Sequence, residues 1–407
     1  MTPAAAPVAS GRGEPGSVPV TGLILSGGGA RAAYQVGVLE AIASIRRDAG
    51  IAPGQNPFPV IAGTSAGAIN AAALASRADD FDAAVAALAE VWGRVRAEQV
   101  YRSDSLGVVR VGARWLTVMS IGWALARWRR LSPRSLLDNT PLEGLLANWI
   151  DIGRIQQMKR DGHLLGLAVT ASSYGSGLHV TFYDAVQDLL PWTRSQRMAV
   201  RGPVQVRHLL ASSAIPFVFP AVLLDIDGRP EYCGDGSMRQ SAPISPAVHL
   251  GAQRILVVGA GRLNEPAGER ATHSDYPNLA QIAGHALSSI FLDALATDIE
   301  RLQRINATLA LLGPEARAAT QLRPIEVLVI APSERLDDIA ARHLGHLPLP
   351  VRTLLNSIGV RGRGAEARGA ALASYLLFEA PYTRELMALG RADTLRRRED
   401  VLTFFGH

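Results

Sequence analysis

The stretch Val60 to Asn70 does most to limit what this chain can fold into. Val60-Ile61-Ala62 is a short apolar run that reads as a buried strand, and the Ala-rich segment Ala66 to Ala75 reads as a helix. Between them stands Gly63-Thr64-Ser65-Ala66-Gly67. A strand, a sharp turn carrying G-x-S-x-G and a helix together form the context of a nucleophile elbow. Gly63 and Gly67 allow the tight path that leaves Ser65 exposed at the turn, and the helix aims its N-terminal amides at the same point. The same five residues also suit a plain Gly-rich turn, so a catalytic reading of Ser65 requires an oxyanion donor and a base elsewhere.

The donor has a candidate upstream. Gly22 to Ser26 reads as an apolar strand, Gly27-Gly28-Gly29 breaks it, and Ala30 to Arg46 reads as a helix with Val36, Leu39, Ile42, Ala43 and Ile45 on its apolar face. Three glycines between a strand and a helix present bare amides to an anion. A nucleotide-phosphate loop uses the same physics, but no Lys-Ser/Thr pair follows and the spacing is not G-x-G-x-x-G. An oxyanion hole for acyl transfer needs neither.

The base is the harder assignment. An α/β-hydrolase would supply Ser, Asp/Glu and His in that order, with several strands before the elbow; only one precedes it here. His163, His179, His208, His249, His273 and His285 share no signature. Asp235, held between glycines in Cys233-Gly234-Asp235-Gly236-Ser237, is the better candidate. A carboxylate is a weak base in water, but partial burial raises its basicity. An Asx turn is the alternative use of the same residue.

Composition sets the frame. The chain has 407 residues, 48% hydrophobic and 19% charged, enough for one large α/β domain or two ordinary ones. Its net charge of +5 is almost wholly arginine, Lys159 being the single lysine. Scattered arginines without a recognition motif argue against nucleic acid; attraction to anionic headgroups and simple compositional bias both remain open. Cys233 is the only cysteine, which excludes an intrachain disulfide and agrees with a reducing compartment. Residues 1–19 are Pro-, Gly- and Ala-rich and read as a disordered tail, not a signal peptide. No window has the run of about 18 apolar residues that a transmembrane helix needs. Trp115, Trp123 and Trp128, followed by Arg129 and Arg130 and preceded by Arg127, lie on an apolar stretch that suits an interfacial helix, a lid or a buried helix with a basic end. Thr140-Pro141-Leu142-Glu143 reads as a capping box, Asp227-Gly228 as a hairpin turn, and Arg396-Arg397-Arg398 as a solvated helix surface. Strands alternating with helices predict a mainly parallel sheet covered on both faces.

Four blocks now add up. Gly27-Gly28-Gly29-Ala30-Arg31, Gly63-Thr64-Ser65-Ala66-Gly67, the run Ala211 to Pro220 (ASSAIPFVFP) and Asp235-Gly236-Ser237 occur in that order. The chain thereby resembles the patatin-like phospholipases, from about residue 21 to 260 and more weakly beyond. Ala32 and Ser237 depart from the glycine, or glycine/alanine, usual at their positions. The resemblance implies a three-layer α/β/α fold with a mainly parallel sheet and a helical C-terminal part. It divides the chain into a tail (1–19), a catalytic domain (20–333, with 98–135 as a lid or membrane-interface insertion) and a helical extension (334–407). It implies a Ser65–Asp235 dyad, an oxyanion hole from Gly27, Gly28, Gly29 and Ala30, and no metal or cofactor. Arg31 would support the oxyanion loop or a phosphate, or make a surface pair. The implied activity is hydrolysis of phospholipid or lysophospholipid esters; the residues themselves read as a cytoplasmic protein, peripheral to a membrane where 115–130 serves as the interfacial helix and not as a lid or core helix. An acyltransferase, thioesterase or short-chain esterase would use the same site, and a non-catalytic membrane-associated regulator would keep the fold without turnover.

Overall fold

The computed structural model describes residues 19–103, 135–262, 276–320, 322–362 and 368–407. The expected contacts of 115–130 lie outside these residues, as does the expected tail 1–19 except for Pro19. Among the described residues the molecule is built on a mixed sheet of ten strands, and its main path runs β10-β9-β1-β2-β3-β4-β6-β5. In chain order the strands are β1 (Thr21–Leu25), β2 (Val60–Thr64), β3 (Gly166–Ser173), β4 (His179–Ala185), β5 (Thr193–Arg194), β6 (Arg197–Arg201), β7 (Val222–Ile226), β8 (Arg229–Asp235), β9 (Arg254–Val258) and β10 (Glu326–Ile330). The five from β10 to β3 are mutually parallel. The sheet turns antiparallel at β3–β4, and β8 also runs antiparallel to the end of β3.

Alternation along the strands sorts side chains into two layers. Leu23, Leu25, Ile61, Leu167, Val169, Leu256 and Val258 point into one core. That core is shared with helices α1 (Ala33–Asp48), α2 (Ala66–Ala75) and α3 (Phe81–Arg94) and with the C-terminal helices. Ile24, Val60, Ala62, Ala168, Ile255 and Val257 point the other way, toward the helices Ser245–His249 and Leu279–Leu311. This is the helix–sheet–helix sandwich that the periodicity predicts. Helix Leu279–Leu311 is long and apolar enough, by length and composition, to cross a membrane, but it packs Leu287, Phe291 and Leu295 into these cores.

Local chemistry explains most boundaries. Asp80 caps α3 by accepting the Ala83 amide at 3.0 Å. Asp227 and Gly228 both take positive φ, as a tight hairpin between β7 and β8 requires. The capping box at Thr140 does not form: the helix Thr140–Trp149 is preceded by Asn139 without a side-chain cap, and the Thr140 hydroxyl turns back to Asp138. Nor are the three terminal arginines merely solvated. Arg396 bonds Asp393 and Ser333, Arg397 bonds Asp400 and the Val329 carbonyl, and Arg398 bonds Asp48.

Candidate active site

The register of β1 against β2 pairs Leu25 with Gly63, so the two strands end side by side and release the loop 26–29 and Ser65 at the same carboxyl edge. In open α/β sheets this edge is where ligands bind. Ser65 sits at φ 56°, ψ −132°, a conformation side chains rarely adopt. The surroundings enforce it. The Ser65 amide donates to the Ser212 hydroxyl at 2.8 Å, and the Ser65 carbonyl accepts the Ala68 amide at 2.9 Å. A Cβ on Gly67 would lie 2.3 Å from the Leu25 carbonyl oxygen, so only glycine lets α2 start this close to β1. Such strain costs on the order of 1–3 kcal/mol and persists only where neighbours over-determine it.

Asp235 closes β8, whose last residues pair with Ala171–Ser173 of β3. The Asp235 amide donates to the Ala214 carbonyl at 3.0 Å. Its Oδ1 accepts the Ser237 amide at 2.9 Å, and its Oδ2 accepts the Ser65 hydroxyl at 2.6 Å. The carboxylate therefore makes the Asx-type turn and the bond to serine at once, one with each oxygen. Asp235 is fully buried, and burial raises its pKa to about 6 despite the hydrogen bonds that favour the anion. Thr64 and Thr170, whose hydroxyls are 2.8 Å apart, tie β2 to β3 next to this pair.

No histidine bonds to Ser65 or Asp235 among the described residues. His179 and His208 are held neutral, each with its pKa lowered to about 4 by burial. His208 stacks on Phe182, and His249 stacks on Trp192.

The backbone N–H groups of Gly27, Gly28 and Gly29 have no acceptor among the described residues. The Ala30 amide differs from the expectation: it donates to the Tyr375 carbonyl at 3.0 Å, which removes it from the pool of oxyanion donors. Helix α2 begins at Ala66, placing its positive end beside Ser65. Arg31 is buried and turned away from the serine, toward Ser374 and Asp337.

Ser65 is 1% exposed, so it does not stand out to solvent as the motif suggests. It opens instead into a slender apolar cavity of about 40 Å³. Leu142, Leu145 and Trp149 of the helix Thr140–Trp149, together with Trp92, line part of its wall, and Gly29 and Ala66 lie at the serine end. Sequence reasoning gave no role to Ser212, although it lies in one of the four blocks, and none to Trp92, Asn70 or Gln35. These last three form a buried chain. Trp92 Nε1 donates to Asn70 Oδ1 at 2.8 Å, Asn70 to Gln35 Oε1 at 3.0 Å, and Gln35 to the Ser26 carbonyl at 2.7 Å. The chain links the cavity wall to the base of the glycine loop.

Together the fold and this edge define an α/β protein with a serine–carboxylate pair at the carboxyl edge of its parallel strands. The family model for patatin-like phospholipase matches residues 23–248, and the chain belongs to that family. Among solved structures it is similar to VipD from Legionella pneumophila, at 12% identity and TM-score 0.34 over 94% of this chain and 67% of that one. It is also similar to the type III effector ExoU, at 14% identity and TM-score 0.27 over 95% and 88%. A third similar structure is the SpcU–ExoU complex from Pseudomonas aeruginosa, at 16% identity and TM-score 0.25 over 88% and 76%. No curated protein matches the chain in sequence.

Proposed function

We propose that the protein hydrolyses acyl esters of phospholipids or lysophospholipids with Ser65 as nucleophile and Asp235 as base. The observation that carries this reading is the 2.6 Å hydrogen bond from Ser65 Oγ to a fully buried carboxylate, at the mouth of an apolar cavity. Asp235 takes the hydroxyl proton as Ser65 attacks the ester carbonyl. The negative charge that grows on the carbonyl oxygen meets the amides of Gly28 and Gly29, aided by the N-terminus of α2. As the tetrahedral intermediate collapses, Asp235 returns its proton to the departing alkoxide. A water then repeats the sequence on the acyl-enzyme: it gives its proton to Asp235, attacks the acyl carbon, and releases the fatty acid with Ser65 reprotonated. The cavity suits the acyl chain by burial, its described lining being apolar apart from Ser65 and Ser213, which favours a lipid ester over a polar one.

The test is a comparison of products. Wild-type protein and Ser65→Ala are incubated with vesicles of mixed phospholipids, and released fatty acids and lysolipids are measured by mass spectrometry. Release by the wild type alone supports the reading. Equal release by both overturns it, and acyl groups appearing on an alcohol or thiol in place of water would make the protein an acyltransferase.

A further inference from the structure

The glycine loop is held from outside the region that the family model covers. Arg31, 2% exposed, donates from Nε to Ser374 Oγ at 2.7 Å and from Nη2 to Asp337 Oδ1 at 3.0 Å and the Ala371 carbonyl at 3.3 Å. Its guanidinium carbon lies 4.1 Å above the Tyr375 ring, which stacks in turn on Phe291 with centroids 5.0 Å apart. The Tyr375 carbonyl accepts the Ala30 amide at 3.0 Å. Gly29 stands at φ 55°, and a Cβ there would lie 2.3 Å from the same carbonyl oxygen. One short segment, 371–375, thus receives both the amide after Gly29 and the side chain two residues on.

The consequence follows from the rigidity of peptide planes. The Ala30 N–H and the Gly29 carbonyl share a plane, and the Tyr375 carbonyl fixes it. The Gly29 N–H lies in the preceding plane, separated from the first only by the two torsions of Gly29. A glycine held at positive φ against Tyr375 has little freedom left in them. We propose that Arg31 and Tyr375 are positioning residues, which lock the Gly29–Ala30 peptide plane and thereby set the direction of the Gly29 amide. Arg31 is not placed to serve as a phosphate ligand: it is 2% exposed, and three of its five N–H donors are taken inside the protein by Ser374, Asp337 and Ala371. This inference deepens the acyl-hydrolase reading and rests on it.

The test uses Arg31→Lys, which keeps the charge but loses the fork and the stacking, and Ser374→Ala, which removes one acceptor. Each is assayed in the full chain on p-nitrophenyl butyrate and on phosphatidylglycerol vesicles, with active sites counted by titration. Arg31→Lys should lower kcat by about 10-fold or more on both substrates, with KM within about 2-fold. Affinity for a trifluoromethyl ketone, which mimics the oxyanion, should fall in step with kcat/KM. Ser374→Ala should show the same pattern, smaller in size. A rise in KM confined to the vesicles would make Arg31 a phosphate ligand and overturn the proposal. Unchanged kcat per titrated site, in whichever variant folds, would reduce the cluster to structural support and overturn it as well. No hydrolysis by the wild type would overturn the acyl-hydrolase reading itself, and this inference with it.

Discussion

Asp235 Oδ2 accepts the Ser65 hydroxyl at 2.6 Å from a position that solvent does not reach. In the proposed mechanism burial is what makes the carboxylate useful. It carries the pKa to about 6, close to the pH at which a general base works best, while Ser237 holds the other oxygen in place.

That value fixes the pH dependence. With Asp235 as the proposed base, active only when ionised, kcat/KM on a soluble ester should rise tenfold per pH unit below about 6 and level off above it. A profile still climbing above pH 7.5 would indicate a different base.

Asp235→Asn should trade activity for stability. The amide keeps the shape but cannot take the proton, and a loss of roughly 10²–10⁴ in kcat is expected. The folded carboxyl holds its proton more tightly than the unfolded one, so ionising it costs folding free energy as pH rises from about 4 to about 6. Removing the charge should therefore stabilise the protein by on the order of 2–3 kcal/mol at pH 7.5 and by almost nothing below pH 4. Urea denaturation at both pH values measures the difference; equal effects would mean the carboxylate is not strained by burial.

Gly28→Val should act mainly on kcat. A Cβ at Gly28 would lie 2.6 Å from the Ala260 side chain, so the loop must move off the end of β9 and take its amides with it. Loss of one oxyanion donor costs about 10²–10³ in rate. A folded variant with only a raised KM would show that the loop binds substrate without stabilising the transition state.

If the apolar cavity holds the acyl chain as proposed, it sets a length preference that can be moved. Trp149 forms part of its wall, and Trp149→Ala should raise the octanoate-to-butyrate ratio of kcat/KM by about 10-fold, the gain if about two of the four added methylenes find new apolar space at about 0.8 kcal/mol each. An unchanged ratio would place the acyl chain elsewhere.

The legible parts of this molecule are the local ones. Helix Ala66–Ala75 and the Asp227-Gly228 hairpin follow from residues within a few positions of each other, where glycine and alanine decide the backbone. The pairing of Ser65 with Asp235 spans 170 residues: the flanking glycines single out Asp235 as a candidate base, and the four ordered blocks tie it to Ser65. The anchoring of Arg31 on Ser374 spans 343, lies partly beyond the matched region, and has no sequence signature, because a buried arginine looks like a surface one until its partners are in place. Thr140 shows the converse: the capping pattern is present, but Asp138 competes for its hydroxyl.

The most direct test of the Ser65–Asp235 assignment is intact-mass and peptide analysis after reaction with a fluorophosphonate. The probe needs an activated serine and oxyanion donors, the two things this site is proposed to supply. One adduct per chain, located on Ser65, absent in Ser65→Ala and strongly slowed in Asp235→Asn, is the expected result. No adduct, or an adduct on another serine that persists in Ser65→Ala, would contradict it.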